Sequence, residues 1–204
     1  MQEHNATIAR WLGEHREDIQ SGAIKVFVED ECHVSAGDIC GYGWGKRRNR
    51  REVDVTNYRT SRSYFGALDC LTHRLEWQEC EQANTQSTIE FVECLRQKYP
   101  ESKLVLIWDG ASYHRSQEWR QYLERVNGGR EEVDWAVRCL RFAPYAPSEN
   151  PVENIWGQGK QCLRKMFKTC TTMRTTQALF EAFMTYRLFT PPDLTTYDAF
   201  SGII

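Results

Sequence analysis

With 204 residues, of which 41% are hydrophobic and 26% charged, the chain has the composition of a soluble globular protein and suits one domain with an ordinary core. No apolar stretch approaches the ~20 residues of a membrane helix, and Met1-Gln-Glu-His-Asn lacks the basic start and apolar run of a secretory signal, so a cytoplasmic protein without a membrane partner is expected. A formal net charge of −2 hides a dense basic run, Lys46-Arg-Arg-Asn-Arg-Arg51, and the eight cysteines show none of the C-x₂₋₄-C spacings that zinc favours, so they read as reduced, packed thiols.

In chain order, Ile8, Trp11, Leu12 and Ile19 give a weak helical pattern over Ile8 to Ile19. Ile24 to Asp30 reads as a buried strand, followed by a meander of strands over Tyr42 to Lys46, Glu52 to Tyr58 and Ser63 to Cys70, with a short addition at Arg74 to Glu79. Asn84 is a good N-cap for a helix that keeps its period to Tyr99 and is stopped by Pro100. Lys103 to Asp109 is a strand, Gln117 to Val126 a helix ended by Asn127-Gly-Gly129, and Ala136 to Phe142 a strand running into the proline-rich loop that reaches Pro147. A helix then starts near Asn150-Pro151, where proline in the first turn does no harm, and continues through Phe167. A last helix covers about Thr175 to Leu188, and the tail from Pro191 reads as irregular.

The order is that of a ribonuclease-H-like (retroviral-integrase-like) α/β domain, a mixed five-stranded sheet with helices on both faces. Its expected division is an N-terminal helical extension over 1–20, the domain itself over 21–190 and a C-terminal tail over 191–204.

Three carboxylates stand out. Asp30 ends the apolar run Ile24-Lys-Val-Phe-Val-Glu-Asp30, Asp109 ends Leu104-Val-Leu-Ile-Trp-Asp109, and Glu153 lies at the start of a helix. Phosphodiester cleavage or transfer needs an activated attacking oxygen and a stabilised leaving oxygen, which two divalent ions ~4 Å apart supply together. Mg²⁺ takes hard oxygen donors and only one or two protein carboxylates per ion, so three acids suffice for a pair when substrate phosphate completes the shells. In that scheme Asp30 bridges the ions while Asp109 and Glu153 hold one each.

These residues carry a family resemblance. Val28-Glu-Asp30-Glu31, the Gly41-Tyr-Gly-Trp44 strand with its basic turn, Val105-Leu-Ile-Trp-Asp109 followed by His114, and Pro147-x-x-Asn150-Pro151-Val-Glu153-Asn154-x-Trp156 resemble the DDE catalytic domain of bacterial insertion-sequence transposases in the Tc/mariner superfamily. The likeness runs from about Lys25 to Lys168, and its most specific part is the last motif. It implies a DNA transposase, an endonuclease and polynucleotidyl transferase. Such an enzyme cuts phosphodiester bonds at transposon ends and joins the freed 3′-hydroxyl to target DNA, typically at a TA dinucleotide. Implied with it are catalytic metal ligands Asp30, Asp109 and Glu153; Mg²⁺ as cofactor, replaceable by Mn²⁺, with two ions when DNA is bound; double-stranded DNA, both transposon ends and target, as partner; a homodimer on DNA; and a place beside the bacterial nucleoid.

Around the ligands, Glu31, His114, Asn150, Asn154 and Trp156 are candidates for positioning them. Glu31 reads as a solvated carboxylate on the strand face opposite Asp30, Asn150 as the helix N-cap, and Trp156 as packing that braces Glu153. Candidate DNA-backbone contacts are Lys46, Arg47, Arg48, Arg50 and Arg51 in the basic run and Lys160, Arg164, Lys165 and Lys168 beyond Glu153. The pattern departs from the family twice. Gly110 stands where relatives carry asparagine, and the ~20 residues before the first strand are too few for the helix-turn-helix modules that read transposon ends. A separate polypeptide or segment supplying those modules is therefore expected. Two other functions remain open: a transposase remnant that binds DNA or a protein without catalysis, and a ribonuclease-H-like nuclease.

Overall fold

The computed structural model describes residues 2–40, 60–110, 115–144, 147–201 and 203. The expected strands Tyr42 to Lys46 and Glu52 to Tyr58 lie outside them. Two short helices, α1 (Gln2–Glu14) and α2 (Arg16–Ser21), replace the single helix expected there. The break falls at His15, whose ring stacks on Trp11 with centroids 4.0 Å apart while its Nδ1 lies 2.8 Å from the Trp11 carbonyl oxygen. Gly22 at φ +82° closes α2, a backbone conformation that suits glycine.

β1 (Ile24–Ser35) is five residues longer than its apolar run. It pairs antiparallel with β2 (Ser61–Asp69), which pairs antiparallel with β3 (Leu75–Cys80). After α3 (Thr85–Lys98), β4 (Lys103–Trp108) joins β1 in parallel; after α4 (Gln117–Asn127), β5 (Val137–Arg141) joins β4 in parallel. The sheet order is β3-β2-β1-β4-β5. α5 (Pro151–Lys165) and α6 (Met173–Thr185) follow. Asn84, Ser116, Asn150 and Thr172 each cap a helix by accepting a hydrogen bond from a first-turn amide.

Because strand side chains alternate, the sheet has two packed faces. Val26 and Val28 of β1 and Val105 and Ile107 of β4 enter the core with α1, α5 and α6. Phe27, Leu104, Leu106 and Trp108 enter a separate core with Phe91, Val92 and Leu95 of α3 and Trp119 and Tyr122 of α4. The fold is the mixed five-stranded sheet flanked by helices that the sequence leads one to expect. The tail is less irregular than expected: its 3₁₀ turns at Leu194–Thr196 and Asp198–Phe200 bury Leu194, Ala199 and Phe200 in the α1/α5 core. Among the described residues no helix is long and apolar enough to cross a membrane.

Candidate active site

β1 and β4 are parallel, with Val28 opposite Ile107. Two residues further along each strand, the same register sets Asp30 level with Asp109, just past the last residue of β4. Alternation turns both toward the face on which α5 packs, at the carboxyl ends of the parallel strands, where α/β sheets present functional groups.

The third acid arrives on a tethered helix. Asn150, itself buried, uses its side chain twice: its Oδ1 accepts from the Val152 amide at 3.0 Å and its Nδ2 donates to the Glu29 carbonyl oxygen at 3.2 Å. Thus the residue that caps α5 also ties its start to the strand position before Asp30. A second tie comes from α1, where Asn5 Nδ2 donates to Glu149 Oε2 at 2.8 Å just ahead of the cap. Pro151 fills the first helical position without wasting an amide, and Glu153 sits in the first turn, where the helix dipole favours a carboxylate. One turn on, the outer atoms of the buried Trp156 ring lie against Gly66 of β2, the residue paired with Asp30.

The electrostatics of this corner are one-sided. Burial, then Glu153, Glu31 and Asp109 in that order, push the Asp30 carboxyl from its ordinary 3.8 up to about 8. Burial, reinforced by Asp109, raises Glu31 from 4.5 to about 7. Glu29, only 1% exposed, is raised well above the ordinary range by burial and by Glu31, Asp30 and Asp109. Asp30 Oδ2 is buried with no hydrogen-bond partner among the described residues. Glu31 is half-buried rather than solvated, because the reverse face of β1 meets the layer of α3 and α4 instead of water.

An excess of carboxylates with an unsatisfied oxygen suits a hard divalent cation, whose charge would reverse the repulsion and whose shell wants oxygen. Among the described residues no three His, Cys, Asp or Glu side chains already stand as a closed ligand cage. For a cation that keeps several waters and takes phosphate oxygens, an open set of acids is a fitting donor group.

Of the remaining candidates, Asn154 is exposed and its Oδ1 accepts from Gln158 Nε2 at 2.7 Å, while Gln158 also bonds both ways to the Thr190 backbone. Lys160 and Arg164 lie on the same side of α5 as Glu153, seven and eleven residues on. Lys160 Nζ is 3.5 Å from Asp38 Oδ1, and Arg164 Nε donates to the Cys40 carbonyl oxygen at 3.2 Å, so both lean on the segment that follows β1. Lys165 and Lys168 are exposed. His114 and Lys46, Arg47, Arg48, Arg50 and Arg51 lie outside the described residues. Sequence patterning missed Gly66; the usable signal was a glycine inside a strand pattern, which marks a close approach.

Residues 25–174 match the family described as DDE superfamily endonuclease. No curated protein matches the chain. Among solved structures, a pre-cleavage Mos1 transpososome is similar with a TM-score of 0.58 at 13% identity, covering 100% of this chain and 58% of that one. The Mos1 transposase paired-end complex with left transposon end is similar at a TM-score of 0.56 and 14% identity, covering 98% of this chain and 57% of that one. The Mos1 mariner paired end complex with Mn gives 0.58 at 13% identity, with 98% and 57% covered. These likenesses concern the fold, and the chain spans a little over half the length of the Mos1 chains.

Proposed function

The chain belongs to the DDE superfamily of endonucleases, and from that membership we propose that it is the catalytic domain of a DNA transposase in which Asp30, Asp109 and Glu153 hold the divalent metal. The observation that carries the assignment is the buried Oδ2 of Asp30, without a hydrogen-bond partner among the described residues, amid Glu153, Glu31 and Asp109. Mg²⁺ or Mn²⁺ bound there supplies Lewis acidity at the scissile phosphate and an acidified water. Asp30 and Asp109, fixed by the β1/β4 register, set one edge of the site; Glu153, hung from the Asn150 tether, closes the other. Asp30, whose carboxyl is influenced by both Asp109 of the same sheet and Glu153 of α5, would hold the metal together with them.

Lys160 and Arg164 extend from Glu153 along α5 and, with Lys165 and Lys168, offer phosphate contacts for a duplex laid across the carboxyl edge of the sheet. Lys46, Arg47, Arg48, Arg50 and Arg51 belong to the same proposed contact set. The products are cut transposon ends whose 3′-hydroxyls attack target DNA, at TA dinucleotides. Two copies working on paired DNA ends complete the proposal.

The test is nicking of supercoiled plasmid in Mg²⁺ or Mn²⁺. Metal-dependent nicking by the wild type and none by Asp109→Asn, with an unchanged circular-dichroism spectrum, is the expected result; equal nicking by the variant sinks the assignment. A folded remnant that binds DNA without cutting it is the second reading, with which the open set of acids among the described residues is equally compatible. It is selected by a wild type that shifts DNA but never nicks it.

A further inference from the structure

Gly66 sits at the centre of β2, directly across from Asp30. A Cβ added there would lie 2.5 Å from Trp156 Cη2 and would also strike Cζ2, the outer atoms of the indole's six-membered ring. Carbon atoms rest about 3.5 to 4 Å apart, so a methyl at this position has to displace the ring by about 1 Å. The ring has little room to retreat. Trp156 is 2% exposed, and Phe180 of α6 stacks near it with centroids 6.2 Å apart at 27°. Phe180 is pinned in turn, against Tyr64 at 5.1 Å and over Gly159 of α5, where an added Cβ would meet its Cε2 at 2.7 Å. The N-terminal half of α5 is thus clamped at Trp156 and Gly159 between sheet and α6, and on the sheet side the space left at Gly66 is that of a hydrogen atom.

Trp156 follows Glu153 by one helical turn, so a shift of α5 that relieves the ring carries the Glu153 backbone with it. We propose that Gly66 is a positioning residue for the metal centre: by carrying no side chain it lets Trp156 seat on the strand beside Asp30 and so sets how near Glu153 comes to Asp30 and Asp109. The inference rests on those three acids being the metal ligands. Metal–ligand distances tolerate only ~0.2 Å, several times less than the displacement a methyl imposes, so metal affinity is the property most exposed to this contact.

The experiment measures Mn²⁺ binding by calorimetry, with no DNA, for the wild type, Gly66→Ala, Trp156→Phe and the double variant Gly66→Ala/Trp156→Phe. Leu95→Ala, buried in the core on the opposite face of the sheet, serves as a control for lost stability alone. All are compared at a temperature where circular dichroism shows them folded. Gly66→Ala is expected to bind at least tenfold more weakly, the low end of what outer ligand supports contribute. The double variant is expected to recover most of the affinity, because phenylalanine lacks the outer ring atoms that the methyl strikes, and Leu95→Ala to bind as the wild type does. A folded Gly66→Ala with wild-type affinity, or a double variant no better than the single one, overturns the inference. If Gly66→Ala does not fold, the double variant decides: folding with near wild-type affinity supports the inference, and lost affinity where Trp156→Phe alone retains it overturns it. A wild type that binds no Mn²⁺ overturns the metal-site assignment itself; normal wild-type binding beside an indifferent Gly66→Ala overturns only the role of Gly66.

Discussion

Asp30 and Asp69 are carboxylates on the same antiparallel pair of strands, and the protein treats them in opposite ways. Asp69, at the far end of β2, is 2% exposed and fully provided for: Lys25 Nζ donates to its Oδ2 at 2.9 Å, and the amides of Leu71 and Thr72 donate to its Oδ1 at 2.9 Å each. A cation and two amides neutralise the charge and fix the turn into β3, so the residue does a structural job. Asp30, three positions along the same ladder and opposite Gly66, has acids for neighbours and an oxygen without a partner among the described residues. The same fold can thus supply a buried acid with counter-charges, and at Asp30 the described residues withhold them. A withheld counter-charge is what a site for an external cation requires, whereas a satisfied one marks the framework.

Substitutions at the two positions should separate these roles. The largest effect is expected from Asp30→Asn or Asp109→Asn: DNA nicking falls to background while the melting temperature without metal stays level, or rises for Asp30→Asn because a disfavoured charge is gone. A melting temperature that collapses in Asp30→Asn would make it a second Asp69. Next, Asp69→Asn should cost about 2 kcal/mol in urea unfolding, below the usual penalty for breaking a buried pair because Lys25 keeps some contact with water. Nicking per folded molecule should be unchanged; a selective loss of nicking would merge the two regions.

The comparison also has a pH signature. Asp30 is raised from 3.8 to about 8 and Glu31 from 4.5 to about 7, so the folded protein without metal holds protons that the unfolded chain releases. Stability from these groups is complete below about pH 4 and is lost as pH climbs through 7 and 8. Calorimetric melting of the metal-free protein should therefore decline across that window, less so in Asp30→Asn, and a flat profile would refute the crowding of charge at the site. The smallest effect is expected from Gly110→Asn, which places beside Asp109 the residue that the family resemblance leads one to expect. A Cβ at 110 meets nothing within 4 Å, so the change should stay within about 0.5 kcal/mol by thermal melting. A larger loss would show that glycine is needed beside Asp109 for its backbone.

Much of the framework was legible because it follows from local rules. Asn84, Asn150 and Pro151 announce helix starts, and Leu104 to Trp108 is apolar throughout because a central parallel strand is buried on both faces. The apolar run stops short of the end of β1, since Asp30, Glu31 and His33 mask a period-two pattern in which Cys32 and Val34 point inward. The Glu31 charge suggests a solvated position because charge in a strand usually marks the wet face; here helices cover both faces. The tail suggests irregular structure because Leu194, Ala199 and Phe200 have no regular spacing, and their burial depends on α1, distant in sequence. In the site, Asp30, Asp109 and Glu153 could be picked out by their places at element ends. The clamp of Gly66, Trp156 and Phe180 could not, because it joins three elements whose approach no single segment encodes.

The central claim is that Asp30, Asp109 and Glu153 form a divalent-metal centre, and the most direct measurement is an anomalous-scattering map from a crystal soaked in Mn²⁺. The account predicts a peak between Asp30 and Asp109 with Glu153 turned toward it, even where a second ion awaits DNA. Carboxylates standing apart with no manganese among them at high Mn²⁺ would contradict it.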